Sequence, residues 1–91
     1  MNTLESEVLP GDFLQFSRYR NEPVDETNMY SCWGCSYRNH QKNTIFIFKQ
    51  LFIKEDRKYI ATNCYYCKEE MTFNYELIVK NPYIKVKYIL I

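Results

Sequence analysis

The sequence predicts a small β-rich domain tied together by four cysteines. Three observations point there. Two CxxC pairs, Cys32–Cys35 and Cys64–Cys67, are separated by 28 residues. The stretch between them holds two runs rich in β-branched and aromatic residues, the types that fit a pleated surface. The chain has 91 residues, and a domain of that size buries only roughly 60% of the surface its unfolded form exposes. Domains this small often need a staple, such as a disulfide, a metal or a partner.

The elements follow in chain order. The first ten residues are polar and are expected to fray. Pro10-Gly11 signals a turn, and Phe13 to Tyr19 then reads as a short strand. Asn21 to Asn28 is polar, contains Pro23 and reads as a loop. Cys32-Trp33-Gly34-Cys35 follows as a tight turn, and Tyr37 to Asn43 reads as a polar loop. Thr44 to Ile53 and Lys58 to Asn63 are the two arms of a β-hairpin, with the charged break Lys54-Glu55-Asp56-Arg57 at its tip. No Asn-Gly or Asp-Gly marks that turn. Cys64-Tyr65-Tyr66-Cys67 closes the hairpin. From Met71 to Val79, Thr72, Asn74 and Glu76 alternate with Phe73, Tyr75 and Leu77, the period of a half-buried strand. A short helix over Lys68 to Val79 is the other reading of that stretch. Asn81-Pro82 turns into a last strand, Tyr83 to Ile91. The organisation is thus an acidic segment with a short strand over 1–29, a cysteine-bounded unit over 30–79 and a C-terminal strand over 80–91, forming one compact domain.

Composition narrows the function classes. Twelve Lys and Arg against eleven Asp and Glu leave a net charge of +1, which excludes a strongly basic nucleic-acid coat protein. With 46% hydrophobic and 18% aromatic residues, wholesale disorder is not expected. The charge is uneven: residues 1–31 carry −4, residues 32–67 carry +4 and residues 68–91 carry +1. Asn, Lys, Ile, Tyr and Phe make up 39 of the 91 residues, a bias expected of an AT-rich genome such as those of some large DNA viruses, cytoplasmic plasmids or parasites. The N-terminus has no basic segment followed by an apolar one, and no stretch approaches the roughly 20 apolar residues of a membrane span. An intracellular protein, cytoplasmic or nuclear, is the expectation.

In a reducing compartment, four cysteines point to metal thiolates before disulfides. Two residues between cysteines let one turn aim both sulfurs at one point, and two such turns supply four ligands. Zinc takes four such ligands in a tetrahedron, which leaves no position for water, so the site would be structural. Buried free thiols, disulfides or a redox pair, and iron are the competing readings. His40, the lone histidine, lies five residues after Cys35; it reads as an exposed loop residue, with replacement of a cysteine as ligand the other reading.

The two cysteine pairs with a hairpin between them resemble the zinc-ribbon family over roughly Tyr30 to Val79. The resemblance implies one structural zinc ion held by Cys32, Cys35, Cys64 and Cys67. Ribbon knuckles often carry glycine directly after the second cysteine, whereas Ser36 and Lys68 stand there in this chain. Ribbons serve in transcription factors, polymerase subunits, ribosomal proteins and enzymes, so the family leaves function open.

Three functional expectations follow. The first is a zinc-stabilised binding module in a transcription or nucleic-acid-processing assembly, plausible for a virus. Its candidate contact residues are Trp33, Arg38, Lys42, Lys54, Arg57, Lys58, Tyr65 and Tyr66, cations for phosphate and aromatics for bases or protein anchors. The second is a structural or host-protein-interacting zinc protein without nucleic-acid contact. The third is a polymerase-associated transcript-cleavage stimulator that uses the hairpin-tip acidic pair Glu55-Asp56. Transcript-cleavage factors carry an adjacent acidic pair on the ribbon tip, and this chain is similar to them in that position, although in the order Glu-Asp and with Phe52 where that family has arginine. No Gly-rich phosphate loop or Ser/His/Asp set is present, and no enzyme, membrane or small-molecule substrate is expected. A larger protein assembly is the expected partner, with nucleic acid as a further one. The final strand could add to a partner's sheet edge.

Overall fold

The structure is a computed structural model, and it describes residues 8–19, 28–39, 42–76 and 83–86. These form strands β1 (Phe13–Phe16), β2 (Phe46–Lys54), β3 (Arg57–Cys64), β4 (Glu70–Asn74) and β5 (Tyr83–Val86), with one helix, α1 (Trp33–Asn39). The strands make one sheet in the order β4-β3-β2-β1-β5, antiparallel throughout. The β2–β3 hairpin read from the sequence is present; of the stretch read as strand over Met71 to Val79, the part to Asn74 belongs to β4, Tyr75 and Glu76 are helical, and residues 77–79 lie outside the described residues. His40 and the outer parts of the C-terminal strand, residues 80–82 and 87–91, lie outside the described residues.

Side chains from one face of the sheet build the core. Leu14, Phe16, Phe46, Ile60, Thr62 and Cys64 are fully buried, with Phe48 and Phe73 beside them. Phe73 packs its ring against Phe16 at 5.1 Å, Phe46 at 5.2 Å and Tyr30 at 5.5 Å between centroids. Thr62 is the polar member of this set, and its hydroxyl donates to the Met71 carbonyl at 2.6 Å.

A β-bulge explains how a strand with Lys49 and Gln50 in its middle still buries one face. Phe48 pairs with Thr62, and the next pair is Gln50 with Ala61, so Lys49 is the extra residue. The insertion shifts the side-chain phase by one. Phe46 and Phe48 point inward before it, and Leu51, opposite Ile60, packs on the core after it. Lys49 is exposed and pairs with Glu70 at 3.5 Å.

The hairpin tip is a two-residue turn between the paired Lys54 and Arg57. Glu55 and Asp56 both have positive φ, 52° and 63°. This is the pattern of a type I′ turn, whose twist matches the strands and which favours Asn-Gly. Left-handed backbone costs a non-glycine residue roughly 1–2 kcal/mol. Glu55→Asn combined with Asp56→Gly is therefore expected to stabilise the protein by about 1–2 kcal/mol. Chemical denaturation of the zinc-saturated protein measures it, and an unchanged or lower midpoint contradicts the turn assignment.

The opposite face of the sheet is open. Phe52 and Tyr59 stack there at 5.4 Å between centroids, half-buried, with Lys54, Glu70 and Thr72 around them. Among the described residues no helix is long and apolar enough to cross a membrane.

Candidate metal centre

The four cysteine sulfurs converge at one end of the hairpin. Cys64 ends β3, Cys67 closes the turn after it, and Cys32 and Cys35 come from the start of α1. All four sulfurs lie within 4.8 Å of one another. Cys32 and Cys67 are 3.7 Å apart and Cys35 and Cys64 3.5 Å, sulfur to sulfur. A tetrahedron with metal–sulfur bonds near about 2.3 Å has sulfurs about 3.8 Å apart. Two separations match that spacing and all lie within 4.8 Å, so the four sulfurs are placed to hold one metal ion. Cys32, Cys35 and Cys64 are buried and Cys67 is half-buried, and none is in a disulfide. Four protein sulfurs fill the coordination of zinc and leave no position for water.

The two cysteine pairs reach this point by different backbones. The second is the tight turn expected. The Cys67 amide donates to the Cys64 sulfur at 3.5 Å and the Lys68 amide to the Cys64 carbonyl at 2.9 Å. Lys68 has φ 66°, so the left-handed position filled by glycine in ribbons is occupied here by lysine. The first pair is not a turn of that kind. It opens α1, which runs through Tyr37 and Arg38 where the sequence reads as loop. Cys32 precedes the helix as its N-cap, its carbonyl accepting from Ser36 at 3.2 Å and its sulfur from the Cys35 amide. Cys35, three residues on, lies on the same helical face. A helical CxxC needs no left-handed residue after it, so Ser36 in place of glycine is no departure.

Neighbouring groups tune the sulfurs unequally. Burial raises the Cys35 thiol, and the thiols of Cys64, Cys67 and Cys32 raise it further. Burial also raises Cys32, against the Cys35 amide, which lowers it. Burial opposes ionisation of Cys64 too. There the Cys67 amide and the surrounding thiols, which favour the thiolate, prevail and bring it to about 6. Asn43 adds a donor to the same sulfur, Nδ2 to Sγ at 2.9 Å.

Asn43 is the residue of the site that sequence reading passed over as loop. Its carbonyl accepts from the Cys32 amide at 2.7 Å, and its Oδ1 accepts from the Ile45 amide at 3.3 Å. It therefore ties the α1 arm to the strand arm and orients a ligand. Outer partners of this kind are worth 10–100-fold in metal affinity. Asn43→Ala is expected to weaken zinc binding by about 10–100-fold, read by competition with a chromophoric chelator. Parent-like affinity would show that the amide contributes nothing.

The eight candidate contact residues do not form one surface. Trp33, Arg38 and Tyr66 surround the metal end. There Trp33 is 81% exposed, and Tyr37, one turn along α1, is 82% exposed. Arg38 is ion-paired with Glu69 across Gly34. A Cβ on Gly34 would come within 2.7 Å of Glu69 Oε2, so the glycine leaves room for that pair. Tyr65 is committed to packing, edge-on to Phe13 at 5.5 Å with Lys68 Nζ 4.8 Å above its ring. Lys58 lies over the Tyr75 ring at 4.5 Å. Lys42 is exposed beside Gln15, Met29 and Thr44. Lys54 and Arg57 flank the hairpin tip with Glu55 and Asp56, all exposed. The nine residues of β2 place that tip about 26 Å from the cysteines, at about 3.3 Å per residue.

No protein-family model matches the chain, and no curated protein or solved structure resembles it at a significant level. The four-cysteine cluster on a small antiparallel β domain is what defines the class: a module with a site for one metal ion.

Proposed function

We propose that this chain is a zinc-stabilised binding module that works by docking rather than by catalysis, within a larger assembly for transcription or nucleic-acid processing. The observation that carries the reading is the closed ligand set beside an exposed aromatic pair. Four sulfurs leave the ion no open coordination site. Trp33 and Tyr37, more than four-fifths exposed, project from the helix that supplies two of those sulfurs. Aromatic residues held on a rigid support are the usual anchors of protein interfaces. Soft sulfur donors favour zinc.

The test is affinity capture with the parent and with Trp33→Ala plus Tyr37→Ala, both zinc-loaded. The parent is expected to hold a reproducible set of proteins that the variant loses while keeping its metal. Equal capture by both rejects α1 as the docking element.

Direct nucleic-acid contact is the second reading, and the open sheet face favours it. Phe52 and Tyr59 offer ring surface beside Lys54, on a face also lined by Glu55 and Glu70; aromatic rings with a neighbouring cation are what stacks bases and meets phosphates. Single-stranded oligonucleotide binding measured at low and moderate salt decides it, since phosphate contacts weaken steeply with salt. No binding at low salt removes this reading.

A further inference from the structure

We infer that Cys67 is an oxidation site: a peroxide joins it to Cys32 in a disulfide, which replaces the metal ion as the link between α1 and the end of β3. The inference rests on the metal centre described above and is independent of the docking reading.

Exposure singles out Cys67. Cys32, Cys35 and Cys64 are at most 1% exposed, whereas Cys67 is half-buried. It is the sulfur of the four that a small oxidant in water reaches first. Hydrogen bonding points the same way. The Cys64 sulfur accepts from Asn43 Nδ2 and from the Cys67 amide, and the Cys32 sulfur accepts from the Cys35 amide. Among the described residues, no N–H donates to the Cys67 sulfur. Donors stabilise a thiolate and lower its nucleophilicity. Cys67 is therefore accessible and undamped, the two properties that select a cysteine for oxidation.

The second sulfur is already in place. Cys32 Sγ lies 3.7 Å from Cys67 Sγ, and a disulfide needs about 2.05 Å. The Cys67 thiolate attacks one peroxide oxygen. The O–O bond breaks, an S–O bond forms and hydroxide leaves, so the sulfur becomes a sulfenic acid. The Cys32 thiolate then attacks that sulfur, the S–S bond forms and a second hydroxide leaves. Two electrons from the sulfur pair have reduced one hydrogen peroxide to two hydroxides. Two ligands of the set are then spent, too few to retain the ion. Cys35 and Cys64, 3.5 Å apart, can close the same way with a second equivalent of peroxide. Both bonds run between the arms, from α1 to the end of β3 and the turn after it. The oxidised chain is thus stapled where the ion stapled it, and it keeps its sheet after the zinc has gone.

Titration of the zinc-loaded protein with hydrogen peroxide tests this. Native mass spectrometry of the untreated protein comes first, so that failure of the metal site itself shows before any oxidant is added. Released zinc is read with a chromophoric chelator too weak to strip the untreated protein. Non-reducing proteolysis with mass spectrometry maps the disulfides, and a dione that traps sulfenic acids marks the sulfur attacked first. Expected are label on Cys67, a Cys32–Cys67 bond at the first equivalent, loss of the zinc and an unchanged β signal in circular dichroism. Dithiothreitol with added zinc should restore the starting mass. Cys67→His, which leaves a three-cysteine, one-histidine ligand set, should slow peroxide-driven release by at least about tenfold. The mapping on the parent needs no substitution, so it decides the matter whatever that variant does. First bonds within the pairs Cys32–Cys35 or Cys64–Cys67 overturn the inference. So does first label on a buried cysteine, and so does collapse of the β signal as zinc leaves. Four reduced thiols and retained zinc under excess peroxide overturn it as well.

Discussion

Treatment with a strong chelator is expected to unfold this protein. Structural zinc contributes on the order of 10–16 kcal/mol to the folding of small domains at neutral pH, while the core of a domain this size supplies only a few kcal/mol. The ligands are also part of that core: Cys32, Cys35 and Cys64 are as buried as Phe46 and Ile60. Without the ion, the end of the hairpin loses the bond that joins α1 to β3. The expected record is a native mass spectrum that falls by one zinc, together with loss of β signal in circular dichroism. Cys64→Ser should reproduce the loss at ordinary zinc concentrations. A metal-free protein with an unchanged spectrum would refute the account. The effect also carries a pH sign. Zinc takes thiolates, and burial holds Cys32 and Cys35 in the protonated form at neutral pH. Uptake of the ion must displace those protons, so affinity falls as pH falls. Competition titrations at about pH 8 and about pH 6 should show tighter binding at the higher value. The Cys64 thiol, brought to about 6, is the one that needs least help to ionise.

Phe46→Ala should cost about 3–5 kcal/mol even with zinc saturating. Phe46 has no exposed surface and sits opposite both Leu14 and Cys64, so the space left behind opens beside a ligand. Its ring also contacts those of Phe16 at 6.2 Å and Phe73 at 5.2 Å. The loss exceeds what the few-kcal/mol core can spare, so the variant should depend on the metal for any structure at all. Phe52→Ala is the control. Phe52 is half-buried on the opposite face, where its main contact is the Tyr59 ring, and a pair of that kind is worth roughly 0.5–1.5 kcal/mol. Denaturation midpoints of the two zinc-loaded variants should differ widely. Equal losses would mean that the sheet buries both faces.

What could be read from the chain, and what could not, separates along physical lines. The hairpin was readable because Ile45, Phe46, Ile47 and Phe48 and, on the other arm, Tyr59 and Ile60 belong to residue types that pleated backbone favours. The ligand set was readable because sulfur chemistry leaves few uses for paired CxxC motifs. Helix α1 was not readable. Helices betray themselves by a repeating apolar stripe, and α1 has none: Trp33 and Tyr37 face solvent, and the helix is held by Cys32 and Cys35. A segment placed by its buried cysteines carries no hydrophobic period. The turn at Glu55-Asp56 escaped for a related reason. Its left-handed backbone is imposed by the flanking strands, against the preference of both residues. Asn43 escaped because an amide serving a ligand looks, in sequence, like any polar loop residue. The bulge at Lys49 was visible only as an interruption of an apolar run.

The strand order carries a consequence for how the molecule comes together. β2, β3 and β4 form a meander in which each strand meets its immediate successor, so they can zip from the hairpin tip with little chain to gather. The β1–β5 pairing instead joins Phe13 to Val86, opposite ends of the described chain. Long closures of this kind come late in folding and open early under mild stress. Amide exchange should therefore be slow along β3, which is flanked on both sides and anchored at Cys64, and fast along the β1–β5 ribbon. The protein would then breathe at one margin while its sulfur-bound end stays shut.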